Sequence, residues 1–507
     1  MRKLMYDIGL IVPLFYEGQQ AYPIMEYQGF TVLKAYLKDK GYIVKIIDAF
    51  AQQLSFEEVL KILVENDFKW LGFTIMSSDY LKKAERIVIE LKKVKRKCPQ
   101  LFLGGIYATL YSEEILMYSD IFNLIVLGDG EKTIEELLEK KDNLITSTKG
   151  IAYKRDGIVK KQLREQLTEQ ELNQAPMPIH MNLENVIKNG GIVQVITSRG
   201  CYGSCQFCAV NSYMQVTECL KWRALSAERV VKEIEDLYQK YKFTTIDIAD
   251  DNFIGFGEKG RERAKTIARM LIERGINIKF NVYSRVNDFD EETFALLKKA
   301  GMNRVFIGIE FGVQSMLDFY KKNITVEKSH EVLKKLKEMG IKVAPGYIMF
   351  EPMMSITDLK ENLAFYYENC DFKLNKIYSK LEIYKKSSAY NTLKNYIKIR
   401  KNPEFHPVFG DVCEYRFLDA KVEKIFEEFS RSIPAIMPSK SFQRILDIEE
   451  EEMDVAVLKE KWASEIYNIL QEAIEQIDKE IYMTRDLEYK LVKFDNDFYH
   501  ELGMLEL

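Results

Sequence analysis

The chain has 507 residues, 47% of them hydrophobic, with 73 Lys and Arg against 77 Asp and Glu for a formal net charge of −4. These proportions are those of a globular protein with room for about three domains, and no Lys/Arg block marks a nucleic-acid footprint. No run of about 18 apolar residues offers a membrane span, and the N-terminus reads straight into a strand without a leader-like apolar region, so neither a nucleic-acid nor a membrane partner is expected and the cytoplasm is the expected compartment.

Residues 1–145 alternate short apolar runs (8–12, 42–48, 70–75, 101–103 and 124–127) with amphipathic stretches. One such stretch puts Leu81, Ala84, Ile87, Val88 and Leu91 on a single helical face. This rhythm predicts a doubly wound parallel α/β sheet of the Rossmann-like kind, with ligands at the carboxyl ends of its strands. Small and polar residues fall at three successive strand ends: Ser77 and Ser78, Gly104 and Gly105, and Gly128-Asp-Gly-Glu131.

Residues 146–190 read as a connection, with a hairpin at 149–162 turning at Asp156-Gly157 and a strap at Ala175-Pro-Met-Pro. A second alternation fills 191–388, with strands at 192–197, 244–249, 278–283, 304–309, 342–349 and 376–384. Six βα units predict a partial (β/α)6 barrel, which carries its active site at the carboxyl ends of its strands. Residues 389–507 read as mostly helical after a loop-like start that includes Pro403, Pro407 and Phe409–Cys413. Val455, Leu458, Trp462, Ile466, Ile469, Ala473, Ile477 and Ile481 recur at helical spacing, and Glu449–Glu452 reads as a solvated face or helix start. His180, His330, His406 and His500 each stand alone and read as surface or packing residues.

Seven cysteines, an odd number, do not make a disulfide framework. Cys98, Cys219 and Cys370 read as packed thiols, whereas Cys201-x-x-x-Cys205-x-x-Cys208 closes the first barrel strand as a metal-binding triad. Three thiolates within eight residues suit one face of an iron–sulfur cluster. Either a fourth protein ligand such as Cys219 completes a zinc or redox site, or one iron is left open for a small molecule.

The spacing Cys-x3-Cys-x2-Cys, with aromatic Phe207 before the last cysteine, resembles the radical S-adenosylmethionine (SAM) superfamily. The resemblance implies that Cys201, Cys205 and Cys208 hold a 4Fe–4S cluster at which SAM is reductively cleaved, with electrons from an external donor such as flavodoxin or ferredoxin. Around SAM it places Phe207, Asp250 and Asp251 near the amine, Arg285 at the carboxylate, Glu310 at the ribose, and Gly346 and Tyr347 at the adenine.

The layout of residues 1–385 also resembles the branch with an N-terminal cobalamin-binding domain. Gly104-Gly105 with Ala108-Thr109, Gly128-Asp-Gly-Glu131, the Asp-Gly hairpin and Phe350-Glu-Pro-Met-Met-Ser-Ile-Thr357 carry that likeness. Ser77, Ser78, Gly104, Gly105, Gly128 and Glu131 would cradle cobalamin. The chain lacks the Asp-x-His-x-x-Gly motif and has no histidine before His180, so no histidine of the first domain serves as a lower cobalt ligand. The implied reaction is cobalamin-dependent methyl transfer to carbon on a peptide or natural-product substrate. One alternative is cobalamin-independent epimerisation, cyclisation or rearrangement, with Cys413 as a candidate catalytic hydrogen donor. A non-catalytic metal-cluster protein is the other.

Overall fold

A computed structural model describes residues 4–16, 23–140, 146–219, 222–400, 412–439, 453–482 and 485–504. The first sheet contains β1 (Met5–Val12), β2 (Val44–Asp48), β3 (Asp67–Thr74), β4 (Gln100–Gly104), β5 (Leu124–Val126), β6 (Ile151–Arg155) and β7 (Ile158–Gln162), in the order β2-β1-β3-β4-β5-β6-β7. β1–β5 are parallel. Their side chains alternate between two cores: Ile11, Leu71, Phe73, Leu103 and Ile125 enter one, while Ile8, Leu10, Trp70, Phe102 and Leu124 enter the other. Burial on both faces explains why these strands read as unbroken apolar runs. The helix Ser78–Val94 covers the first core with Leu81, Ala84, Ile87, Val88 and Leu91, the face its spacing predicted.

The Asp156-Gly157 hairpin forms, both residues lying at positive φ (51° and 75°) as a tight antiparallel turn requires. It does not stand apart as a connection. β6 pairs antiparallel with β5, extending the first sheet to Gln162 and covering what would otherwise be an open edge.

The second region contains β8 (Gln194–Val195), β9 (Ser198–Gly200), β10 (Trp222–Ala224), β11 (Thr245–Ile248), β12 (Lys279–Arg285), β13 (Met302–Glu310) and β14 (Lys342–Tyr347). Five of them form a parallel sheet in the order β14-β13-β12-β11-β8, the open barrel expected, while β9 and β10 pair antiparallel beside it. The sixth expected strand shrinks to a single parallel bridge, Phe350 to Lys380. Leu374 and Ile377, three residues apart, are both fully buried; a helical turn achieves that and an alternating strand does not. β15 (Ile383–Tyr384) then leaves the barrel to join β16 (Ile399–Arg400) and β17 (Val412–Tyr415) in an antiparallel sheet.

Helices Ala420–Ile436, Met453–Asp478 and Asp486–Met504 follow, and their buried side chains merge with the barrel core. Trp462, Ile466, Ala473 and Ile477 are buried as their spacing predicted, Leu458 and Ile469 are partly buried, and Ile481, past the helix end, is 66% exposed. Pro403, His406, Pro407, Phe409–Asp411, Glu449–Glu452 and the side chains of Val455 and His500 lie outside the described residues. No helix among the described residues is long and apolar enough to cross a membrane.

Candidate functional site

β8 runs into β9, and the cysteine loop leaves from the end of β9. Asp250, just past β11, holds this junction: its carboxylate accepts hydrogen bonds from Thr197 N (2.6 Å), Thr197 Oγ1 (2.5 Å), Ser198 N (2.9 Å) and Ser198 Oγ (2.8 Å). Both oxygens are therefore occupied by the strand end, and Asp250 is not directed at a ligand as its sequence position suggested. Asp251 points the other way, onto the cavity described below, and accepts from Gly200 N at 3.2 Å. Enclosure, and then the charge of Asp250, push its carboxyl up to about 6.

Within the loop, Cys205 is buried and Cys201 and Cys208 are half-buried. Gly203 N donates to Cys201 Sγ at 3.4 Å, and Arg285 Nη1 donates to Cys205 Sγ at 3.2 Å. Cys208 occupies the N-cap of helix Ala209–Val216, where the helix dipole favours a thiolate. Burial, reinforced by the neighbouring Cys205, nevertheless pushes its thiol up to about 11. Soft donors that oppose one another's ionisation and face a single guanidinium fit a cationic cluster, which would supply the missing positive charge. No three His, Cys, Asp or Glu side chains among the described residues converge as ligands of a single ion would.

Arg285, expected at a SAM carboxylate, is committed to the loop. Its Nη2 donates to Lys322 O at 2.8 Å, its plane lies over Tyr202 at 5.3 Å, and its buried Nε has no partner among the described residues. Tyr202 donates to Asp288, which also accepts from Asn252 Nδ2 (2.7 Å) and Arg285 N (2.8 Å). Phe207 packs edge-on against Tyr320 at 5.7 Å, anchoring the loop to the barrel. Glu310 ends β13 at φ +70° and pairs with buried Lys322 at 2.7 Å; such backbone strain clusters at ligand sites. Gly346 lies in register with Gly308. Tyr347 does not reach the site: it is buried, and its hydroxyl donates to Asn362 O and Oδ1 at 2.7 Å.

A cavity of about 700 Å³ opens between the carboxyl ends of the first sheet and the β8–β9 junction. Gly104, Gly105, Gly128 and Glu131 line it from one side, and Ser198, Arg199, Gly200 and Asp251 from the other. Ser77 and Ser78 are not among its walls; Met76 and Tyr80 take that position, because Ser78 is drawn into the first turn of its helix. Gly105 has φ +94°, and a Cβ there would sit 2.9 Å from Ile75 O and Thr74 Oγ1, so only glycine fits. Cys219 lies on the cavity wall. Cys413 lies on β17, a strand rather than a loop, packed against the helical core with its thiol raised by burial; it is not among the cavity walls.

Asp129 and Glu131 belong to the Gly128-Asp-Gly-Glu131 turn that the sequence marks, but their partners, Arg199 bonded to both and Arg223 to Asp129, carry no sequence signal of their own. Tyr202, Asn252, Asp288 and Lys322 are ordinary polar residues until the strands bring them together. His180, isolated in the sequence, places its 4%-exposed side chain between Glu26 and Glu233.

Residues 195–365 match the family model of the radical SAM superfamily, and residues 19–138 match that of the B12 binding domain. The chain is 28% identical over 327 residues to an uncharacterized methyltransferase of Pyrococcus horikoshii, covering 64% of this chain and 69% of the relative. It is 31% identical over 265 residues to the 4'-phospho-dehydrooxetanocin synthase of Priestia megaterium, covering 48% of this chain and 35% of the relative. Its fold resembles that of the cobalamin-dependent S-adenosylmethionine radical enzyme OxsB, solved with aqua-cobalamin and S-adenosylmethionine bound: TM-score 0.77 at 19% identity, over 98% of this chain and 75% of that one. The two matched domains imply a 4Fe–4S cluster, SAM and cobalamin, and the chain is an enzyme of the radical SAM superfamily, in the branch that carries an N-terminal B12-binding domain.

Proposed function

We propose that the protein is a cobalamin-dependent radical SAM methyltransferase that acts on a carbon of a peptide or natural-product substrate. The observation that carries this reading is the shared cavity: one chamber of about 700 Å³ has walls from both the B12-binding domain and the cluster-bearing barrel. When bound, the cluster supplies one-electron cleavage of SAM and the corrinoid supplies a transferable methyl group. Cys201, Cys205 and Cys208 hold the cluster, and Asp251 offers a carboxylate to the SAM ammonium. Glu310 presents its second oxygen to ribose hydroxyls, and the backbone of Gly346 lies at the adenine, with Phe306 packed where a side chain on Gly346 would stand. Gly104, where no atom lies nearer than 3.9 Å to the position of a side chain, would let the corrinoid approach the backbone, Gly105 and Gly128 would shape the wall beside it, and the first domain has no histidine to offer cobalt. The apolar walls, including Met25, Met76 and Phe102, keep water away from reactive species. Electrons come from an external carrier of the flavodoxin or ferredoxin kind.

The test is to rebuild the cluster anaerobically, add hydroxocobalamin, remove the excess and count metals. About four irons with stoichiometric cobalt, followed by transfer of a deuterated methyl group from SAM to an acceptor, supports the reading. Iron without cobalt removes methyl transfer and leaves radical epimerisation, cyclisation or rearrangement. Absence of iron removes the radical chemistry altogether.

A further inference from the structure

A chain of buried ion pairs crosses from the first sheet to the root of the cysteine loop. Asp129 Oδ1 lies 2.9 Å from Arg199 Nη1, Asp129 Oδ2 lies 2.6 Å from Arg223 Nη1, and Arg199 Nη2 reaches Glu131 Oε1 at 2.6 Å. Arg199 and Arg223 face each other directly across the β9–β10 pair. Like charges so placed repel, and Asp129 is the anion between them. The side chains of Asp129, Glu131 and Arg223 are 10%, 3% and 3% exposed, so these charges act with little screening.

Position gives the cluster its consequence. Asp129 and Glu131 belong to the Gly128–Glu131 turn that walls the cavity, and Arg199 stands two residues before Cys201. Asp129 also accepts from Leu167 N at 3.1 Å, and Arg223 Nη1 donates to Leu167 O at 2.6 Å, so the segment after the hairpin is bound into the same knot. A group that orders the turn from the cavity side orders β9, and a group that orders the cysteine loop orders the turn. Such a shared element couples two binding equilibria reciprocally.

We propose that Asp129 and Arg199 are positioning residues that couple the corrinoid site to the cluster site, so that each group binds more tightly when the other is in place. This inference rests on the cobalamin reading above. The experiment titrates hydroxocobalamin, followed by absorbance, into the full-length protein with its cluster rebuilt and into the same protein stripped of iron. It is repeated for Asp129→Asn and Arg199→Lys, the latter keeping the charge but losing the fork that spans two carboxylates.

Wild-type protein is expected to bind cobalamin at least about fivefold more tightly with the cluster than without it, and both variants are expected to bind with a ratio near about one. A purely structural role would weaken both forms in parallel and preserve the ratio; that result overturns the proposal, as does a wild-type ratio near one. Where Asp129→Asn fails to fold, Arg199→Lys decides. Absence of cobalamin uptake by either wild-type form overturns the coupling and the cobalamin reading together, whereas uptake with equal affinities overturns the coupling alone.

Discussion

His180 and Glu26 form a buried ion pair across the joint between the first domain and the strap, with His180 Nδ1 2.8 Å from Glu26 Oε2. His180 Nε2 lies 3.4 Å from Glu233 Oε1 on the helix Ala227–Tyr241, and Glu26 Oε1 accepts from the backbone of Met181 (2.6 Å) and Asn182 (2.8 Å). Three segments distant in sequence thus meet at one imidazole.

Burial disfavours the charged imidazole, but hydrogen bonds to Glu233 and Glu26 outweigh it and raise its pKa from 6.5 to about 9. Because the folded value is the higher one, the stabilisation is complete below about pH 6.5 and is lost as pH rises through about 9. Its ceiling is about 3 kcal/mol. The denaturant midpoint of the wild type is expected to fall across that window, and that of His180→Gln to fall less. Parallel profiles for the two proteins would count against the charged pair.

Glu351 is fully buried; Tyr320 OH donates to it at 2.5 Å and Met353 N at 2.8 Å. Burial outweighs these bonds and raises its carboxyl from 4.5 to about 7. The folded state therefore holds this proton more tightly, and the associated stability, present below about pH 4.5, is lost as pH rises through about 7. Glu351→Gln is expected to remove a decline of up to about 3 kcal/mol from the stability profile. An unchanged slope would refute the assignment.

Gly203→Ala places a Cβ 2.2 Å from Arg285 Nη1, the atom that bonds Cys205. The guanidinium must move, and the loop loses its counter-charge. The variant is expected to remain folded by circular dichroism but to retain little of its iron, as Cys201→Ala, Cys205→Ala and Cys208→Ala are also expected to do, whereas Cys413→Ala keeps it. Full iron content in Gly203→Ala would show that Arg285 is dispensable to the loop.

Gly105→Ala forces a side chain into positive φ against Ile75 O. The strain is worth about 1–3 kcal/mol, and relieving the clash must shift the Gly104–Gly105 strand end that walls the cavity. Cobalamin uptake, measured by retained cobalt, is expected to fall by more than the lowered melting temperature alone accounts for. Normal cobalt loading would separate this strand end from the corrinoid site.

The most legible features of the sequence were local. The Cys201–Cys205–Cys208 spacing, the Asp156-Gly157 turn and the apolar runs of the first sheet each depend on residues close along the chain. The roles of neighbouring pairs were harder to read. Asp250 braces the strand end while Asp251 lines the cavity, and on β14 Tyr347 turns into the core beside Gly346, because successive residues of a strand face opposite sides.

By itself, the sequence determined the two α/β regions, the thiol triad and the glycines at the strand ends, since periodicity and short-range spacing are written directly into residue order. Only the tertiary structure decided which polar groups at those strand ends remain available. Arg285 went to Cys205, Asp250 to Thr197 and Ser198, and His180 to two carboxylates. A buried polar group must bond whatever partner the fold brings beside it, and the partners of these three lie dozens of residues away.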